Sequence, residues 1–230
     1  MPGELFTIKQ LELVQPSWRG WLQPIVDLIF PPRCGGCGRV DTLWCTRCQS
    51  DLQVVPLRVH AGAVPEFDGI ASTGLHSGKL QQAVQALKYH DTPALSEPLG
   101  HRLRTALETL DWTPDLVAPV PIHAERLRQR GYNQAGLLAE SLARQSGLNY
   151  EPYALLRQRY TRSQVGLNRA DRLVNVTDAF RADPEQVSGR GLLIVDDVYT
   201  TGATLSVCAQ AALDAGATSV YGLTVTVARD

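Results

Sequence analysis

The stretch that most constrains this chain runs from Gly191 to Leu205 and reads Gly-Leu-Leu-Ile-Val-Asp-Asp-Val-Tyr-Thr-Thr-Gly-Ala-Thr-Leu. Leu192, Leu193, Ile194 and Val195 follow a glycine with no polar interruption, as in a strand buried on both faces of a parallel sheet covered by helices. Asp196 and Asp197 come where such a strand leaves its sheet. A hydroxyl-rich turn, Tyr199 to Thr204, then leads into an apolar helical run. A turn at a helix N-terminus offers a phosphate free backbone N–H groups and the positive end of the helix dipole. Gly202 permits close backbone approach, and Thr200, Thr201 and Thr204 add hydroxyl donors. The two carboxylates would repel a phosphate and need another partner, for which vicinal sugar hydroxyls or a hydrated Mg2+ are suited. An acid pair beside a phosphate cradle suggests a ribose phosphate.

A chain of 230 residues can form one large or two small domains with a sizeable core. Its 44% hydrophobic and 20% charged residues place it among ordinary soluble globular proteins. The net charge of -1 gives no global sign of a nucleic-acid binder. Charge is unevenly placed, however. Between Val120 and Arg172 nine arginines (126, 128, 130, 144, 157, 159, 162, 169 and 172) face four acids, Glu125, Glu140, Glu151 and Asp171. The N-terminus lacks the basic and apolar progression of an export signal, and no run of about 18 apolar residues suggests a membrane span. The expected location is therefore the cytoplasm, where five cysteines read as thiols or metal ligands rather than disulfides.

Four of those cysteines form two Cys-x2-Cys knuckles, Cys34/Cys37 and Cys45/Cys48. Two thiolates in one tight turn can bind a metal from the same side, and four complete a tetrahedron, which favours a closed structural site. Zn2+ is the first candidate; a rubredoxin-like iron site has the same ligands. Gly36 and Gly38 would let amides point at the sulfurs. Cys208, among Val207, Ala209, Ala211 and Ala212, reads as core. Before the knuckles, Trp18, Trp21, Leu22, Ile25, Leu28 and Ile29 recur at helical spacing, which predicts a short amphipathic helix ending ahead of Pro31. After them, Val54 to Pro65 lacks periodicity and reads as a linker. It divides the chain into 1–56, a helix and four-Cys module, and 65–230.

In the second part, Phe67 to Leu75 reads as a strand, with a helix over Leu80, Val84 and Leu87 that reaches Lys88-Tyr89-His90 and a second from Leu95 to Leu110. Lys88 either complements a helix dipole or serves the phosphate site. Asp115 to Pro121 reads as a strand stopped by prolines. Arg126, Arg128 and Arg130, ended by Gly131, read either as a polyphosphate site, because guanidinium groups bind phosphate bidentately, or as solvated surface. Asn133 should cap a helix from Gln134 to Gln145. The polar, arginine-rich stretch from Leu155 to Phe180 reads as a lid or a solvated loop. A helix from Ala203 to Ala215 and a strand from Ser219 to Val227 close the chain.

Leu192 to Thr204 resembles the phosphoribosyl pyrophosphate (PRPP) motif of type I phosphoribosyltransferases: four hydrophobics, two acids, then Thr-Thr-Gly-Ala-Thr. That motif occurs here with Phe30-Pro31-Pro32-Arg33-Cys34 opening a four-Cys site, Leu87-Lys88-Tyr89, Pro119-Val120-Pro121, Arg130-Gly131-Tyr132-Asn133-Gln134, Gln164 with Leu167, Arg169 and Arg172, Asn175-Val176 and Ala179-Phe180. The combination resembles the competence protein F (ComF, GntX-like) family over about Leu28 to Arg229. The resemblance implies an α/β fold of the type I phosphoribosyltransferase class, a central mostly parallel sheet with helices on both faces, preceded by a small zinc module. It further implies that Asp196 and Asp197 hold the ribose hydroxyls and that Thr200, Thr201, Gly202, Ala203 and Thr204 hold the 5'-phosphate. Arg126 and Arg130 would meet the pyrophosphate, with Lys88 and Arg169 also in the PRPP site, and the loop after Pro119 often carries a strained peptide. Structural Zn2+, Mg2+ with PRPP, and a role in natural transformation follow from the same likeness. Expected partners are PRPP, pyrophosphate, single-stranded DNA and other competence or DNA-processing proteins. Three functions fit: transfer of ribosyl 5-phosphate, PRPP sensing without turnover, or single-stranded-DNA binding through the basic lid and zinc module, with Tyr132 and Tyr160 available for stacking.

Overall fold

The computed structural model describes residues 31, 33–42, 44–53, 57–60, 62, 64–89, 92–157 and 179–228. The expected helix over Trp18 to Ile29, and Arg169, Tyr160 and most of the arginine-rich lid, lie outside the described residues. The architecture is mixed α/β. After a helix α1 (Thr46–Gln53) come strands β1 (Arg58–Val59) and β2 (Gly69–Ser72), then helices α2 (Gly78–Tyr89) and α3 (Ser96–Leu107). Strand β3 (Leu116–Pro119), helices α4 (Ala124–Arg130) and α5 (Gln134–Ser146), and strands β4 (Asn149–Tyr150) and β5 (Leu155–Arg157) follow. The chain continues through β6 (Phe180–Ala182), a single turn α6 (Pro184–Val187), β7 (Gly191–Tyr199), α7 (Ala203–Asp214) and β8 (Ser219–Val227).

Six strands form one sheet in the order β1-β2-β8-β7-β3-β4. All neighbours are parallel except β1, which pairs antiparallel with β2. The aliphatic run of β7 explains its central place. Leu192, Leu193, Ile194 and Val195 are all fully buried, and each contributes about 2 kcal/mol of hydrophobic stabilisation. Alternate residues serve opposite faces. Leu193 and Val195 join a core with α2, α3 and α5. Leu192 and Ile194 join a second core with Leu205, Cys208, Ala209 and Ala212 of α7, so Cys208 is core as expected.

Two boundaries differ from the sequence reading. Strand β7 does not leave the sheet at Asp196. It stays paired with β8 to Tyr199, because β8 offers a partner as far as Val227. Residues 58–60, in the stretch read as linker, pair instead as a short edge: β1 runs beside β2, and the His60 amide donates to the Ile70 carbonyl. A strand of two residues is too short to show periodicity.

Candidate functional site

The acid pair sits at the C-terminal end of the central strand. Asp197 is buried, and its Oδ1 lies 2.8 Å from the Lys88 ammonium at the end of α2. Lys88 thus serves the carboxylate, which the sequence reading had not foreseen. The second oxygen, Oδ2, is buried and has no hydrogen-bond partner. A buried lone pair without a donor is costly, so this atom fits a ligand hydroxyl or a hydrated cation. Asp196 accepts a hydrogen bond from the Asp197 amide through Oδ1 at 2.8 Å. Burial, then the charge of Asp197, raises the Asp196 carboxyl well above the usual carboxylate range. Beyond it stands Cys208, whose thiol is pushed up by burial and then by Asp196.

A polar row supports the pair from the neighbouring strands. Register sets Asp196 beside Thr224 and Thr224 beside Ser72. The Ser72 and Thr224 hydroxyls lie 2.7 Å apart, and His60 Nε2 is 2.9 Å from Ser72 Oγ. Thr226 donates its hydroxyl to the Asp197 carbonyl at 3.2 Å, and His76 Nδ1 lies 2.9 Å from the same hydroxyl oxygen. A hydroxyl has one proton, so Thr226 Oγ1 must accept from His76 Nδ1–H. The His76 pKa is lowered by burial and then by Lys88, which leaves a neutral ring with Nε2 as its lone-pair nitrogen. Arg102 of α3 anchors the loop before His76, donating through Nε to Thr73 Oγ1 at 2.7 Å and through Nη2 to the Thr73 carbonyl. The pairing of His60, His76, Ser72, Thr73 and Arg102 escaped sequence reasoning. Only Thr224 and Thr226, polar residues in a buried strand, hinted at it.

The turn after the acids is built for close approach. Gly202 has φ 75°, a left-handed conformation, and a Cβ there would stand 2.9 Å from Tyr199 Oη and 3.0 Å from Val64 Cγ2. Gly202 opens α7 without a side-chain cap. Thr200, Thr201, Ala203 and Thr204 are exposed around it, and the Ala203 amide is 3.4 Å from Thr201 Oγ1. Beneath the turn, Tyr199 stacks on His60 with ring centroids 4.6 Å apart.

The arginine helix follows β3. α4 is capped by His123, whose Nδ1 accepts from the Glu125 amide, and ends at Gly131 with φ 83°. Arg126 and Arg128 are exposed. Arg130 sits over the Tyr89 ring at 5.4 Å and donates to Gln134. Arg157, at the end of β5, has its pKa lowered by burial and then by the charge of Arg126. Asn133 caps α5 as expected, accepting from the Ala135 amide, and its Nδ2 holds the Val120 carbonyl at 3.0 Å. Tyr132 donates to the Leu87 carbonyl at 2.6 Å and packs against the core, so it is not a free stacking platform. The strained peptide expected near Pro119 is absent: among the described residues there is no cis bond, and Asp41 is the one non-glycine with positive φ.

The four knuckle cysteines bring their sulfurs within 4.8 Å of one another. Cys37 and Cys45 Sγ are 3.6 Å apart, close to the roughly 3.8 Å edge of a tetrahedral Zn–thiolate site. Burial pushes the Cys34 thiol up, but the amides of Cys45, Gly36 and Cys37 outweigh it and hold it at about 6. A Cβ at Gly36 would stand 2.9 Å from Cys48 Sγ, so the glycine is needed for the fit. The group can hold a metal ion.

Comparison with known proteins gives the chain its relatives. No family model matches the sequence. The chain is 33% identical to the DNA utilization protein YhgH of Escherichia coli over 194 residues, which cover 84% of this chain and 82% of that protein. It is 30% identical to competence protein F of Haemophilus influenzae over 75% of this chain and 80% of the relative. With competence protein ComFC of Bacillus subtilis it shares 35% over 96% of this chain and 87% of the relative. The chain belongs to the competence protein F family. Among solved structures, the glutamine PRPP amidotransferase of Bacillus subtilis aligns with a TM-score of 0.46 and 21% identity, over 61% of this chain and 30% of that one. An allosteric regulatory enzyme of purine biosynthesis aligns with a TM-score of 0.44 at 20% identity, with the same coverage.

Within this competence protein F homologue, the residues singled out by sequence fall into three groups. Lys88 and Asp197 meet in an ion pair, Asp196 precedes Asp197 on the same strand end, and Thr200 to Thr204 form the adjoining turn. Arg126 is exposed on α4, whereas Arg130 is engaged with Tyr89 and Gln134. The cysteines form a separate cluster. No helix among the described residues is long and apolar enough to cross a membrane.

Proposed function

We propose that this chain binds PRPP and transfers its ribosyl 5-phosphate with release of pyrophosphate, and that it acts in natural transformation, where imported single-stranded DNA is handled. The observation that carries the reading is the Asp197 carboxylate, anchored by Lys88 through one oxygen and unpartnered at the other, beside a glycine turn that opens a helix. Asp196 and Asp197 would accept hydrogen bonds from the ribose hydroxyls. Thr200 to Thr204 would hold the 5'-phosphate on the N-terminus of α7. As the bond from C1 to pyrophosphate lengthens, positive charge grows on the ribose and negative charge on the leaving group, and Arg126 and Arg157 would meet the latter. Mg2+, when bound with PRPP, would supply further neutralisation of the pyrophosphate. The four thiolates would hold structural Zn2+.

Calorimetric titration of PRPP with Mg2+ into wild type and the Asp196→Asn/Asp197→Asn variant tests the reading. Saturable binding that the variant loses is expected. Absence of binding to wild type would overturn it and leave DNA handling by the arginine surface as the function.

A further inference from the structure

We propose that the four-Cys module is a positioning element of the carboxylate site, acting through Gly35 and Trp44 on the helix that aims Lys88 at Asp197. The contacts form one continuous path. Trp44 packs at once against the cysteine cluster and against the main core. Gly35 lies so close to α2 that an added Cβ would stand 3.3 Å from Ala86 Cβ and 3.2 Å from Trp44 Cζ3. Ala86 is itself buried, two residues before Lys88. The same helix end is also held by Tyr132, which donates to the Leu87 carbonyl, and by Arg130 over the Tyr89 ring. The last turn of α2 is therefore held at Ala86, Leu87 and Tyr89. Its product is one ion pair of 2.8 Å, between Lys88 and the buried Asp197.

Long side chains reach a fixed partner only if their backbone is fixed, and a small displacement of a supporting element is enough to lose a charged contact. The knuckles supply that fixity without touching the site. Gly35 and Trp44 are positioning residues, and the metal matters to the carboxylates by keeping the module rigid against Ala86. The affinity arm of the test below rests on the PRPP-binding reading; the exchange arm does not.

The experiment compares full-length, metal-loaded wild type with Gly35→Val and Ala86→Leu. The first variant presses on the contact from the module and the second from the helix, where it cannot reach the cysteine ligands. Metal content, hydrogen exchange of the amides of residues 84–89, and PRPP affinity with Mg2+ are measured on each. Both variants should keep their metal, exchange at the end of α2 about tenfold faster and bind PRPP about tenfold more weakly, within the usual range of coupling between sites. In a Lys88→Met background, adding Gly35→Val should cost no further affinity, because the contact acts through Lys88. Unchanged exchange and affinity in both variants would overturn the proposal, as would an undiminished effect of Gly35→Val without Lys88. If metal-loaded wild type binds no PRPP, the functional reading fails, and exchange at residues 84–89 decides the positioning role alone.

Discussion

Asp196 and Asp197 are neighbours in the chain, yet the two sides of the β7 end treat them oppositely. On the α2 side, Asp197 is an anchored anion: Lys88 neutralises one oxygen, and Thr226 and His76 brace its backbone. On the α7 side, Asp196 is a charge that the fold resists, disfavoured by burial and by the field of its neighbour's carboxylate. The two acids of the motif are not equivalent. One is buried by the protein and paired with an ammonium through a single oxygen. The other is held ready to gain from a ligand that donates hydrogen bonds or brings positive charge.

The sharpest way to break the comparison is to remove each acid in turn. Asp197→Ala leaves Lys88 facing a buried void, and loss of one member of a buried pair costs about 3 kcal/mol. Urea unfolding should show this loss at pH 7. An effect below about 1 kcal/mol would mean that the pair is too well solvated to anchor anything.

Asp196→Asn should act in the opposite sense. The carboxyl is raised from 3.8 to about 8, so the folded chain binds more protons than the unfolded chain between those values. Stability contributed by the protonated form is therefore lost as pH rises through that window. The Asn variant keeps an acceptor for the Asp197 amide but carries no charge. It should be more stable than wild type at pH 8, with the difference shrinking as pH falls and vanishing near pH 4. Equal unfolding midpoints across that range would sink the distinction between the two acids.

Gly202→Ala sharpens the comparison on the α7 side. Its φ of 75° disfavours any side chain by about 1–2 kcal/mol, and the new Cβ would meet Tyr199 and Val64. Thermal unfolding should register a loss of about that size, and PRPP affinity should fall with it. Asp196→Asn, by contrast, should separate the two readouts, raising stability while lowering affinity.

The α7 side was the legible one, for a physical reason. Strand, acids, turn and helix are contiguous, so composition, glycine placement and hydrophobic run each report on the same few residues. The cap at Asn133 and the full extent of β8 were equally local and equally readable. The α2 side is assembled from Lys88, His76, Thr226 and Tyr132, which meet only after the sheet has formed. Nothing near Lys88 in sequence signals Asp197, and Tyr132 looked like a free aromatic because its acceptor, the Leu87 carbonyl, is distant along the chain. The run of β7 past its acids was hidden for the same reason, since the length of β8 determines it.

Tyr132→Phe probes that hidden side with the smallest change. The ring stays in the core, and only the hydroxyl bond to the Leu87 carbonyl is removed, at a cost of about 1 kcal/mol. Leu87 precedes Lys88, so the freed carbonyl loosens the end of α2 where the ammonium is aimed. PRPP affinity should therefore drop by a few fold in Tyr132→Phe, while in an Asp197→Asn background the same substitution should change affinity no further. Additive losses in the double variant would show that Tyr132 reaches the site by some route other than the Lys88–Asp197 pair.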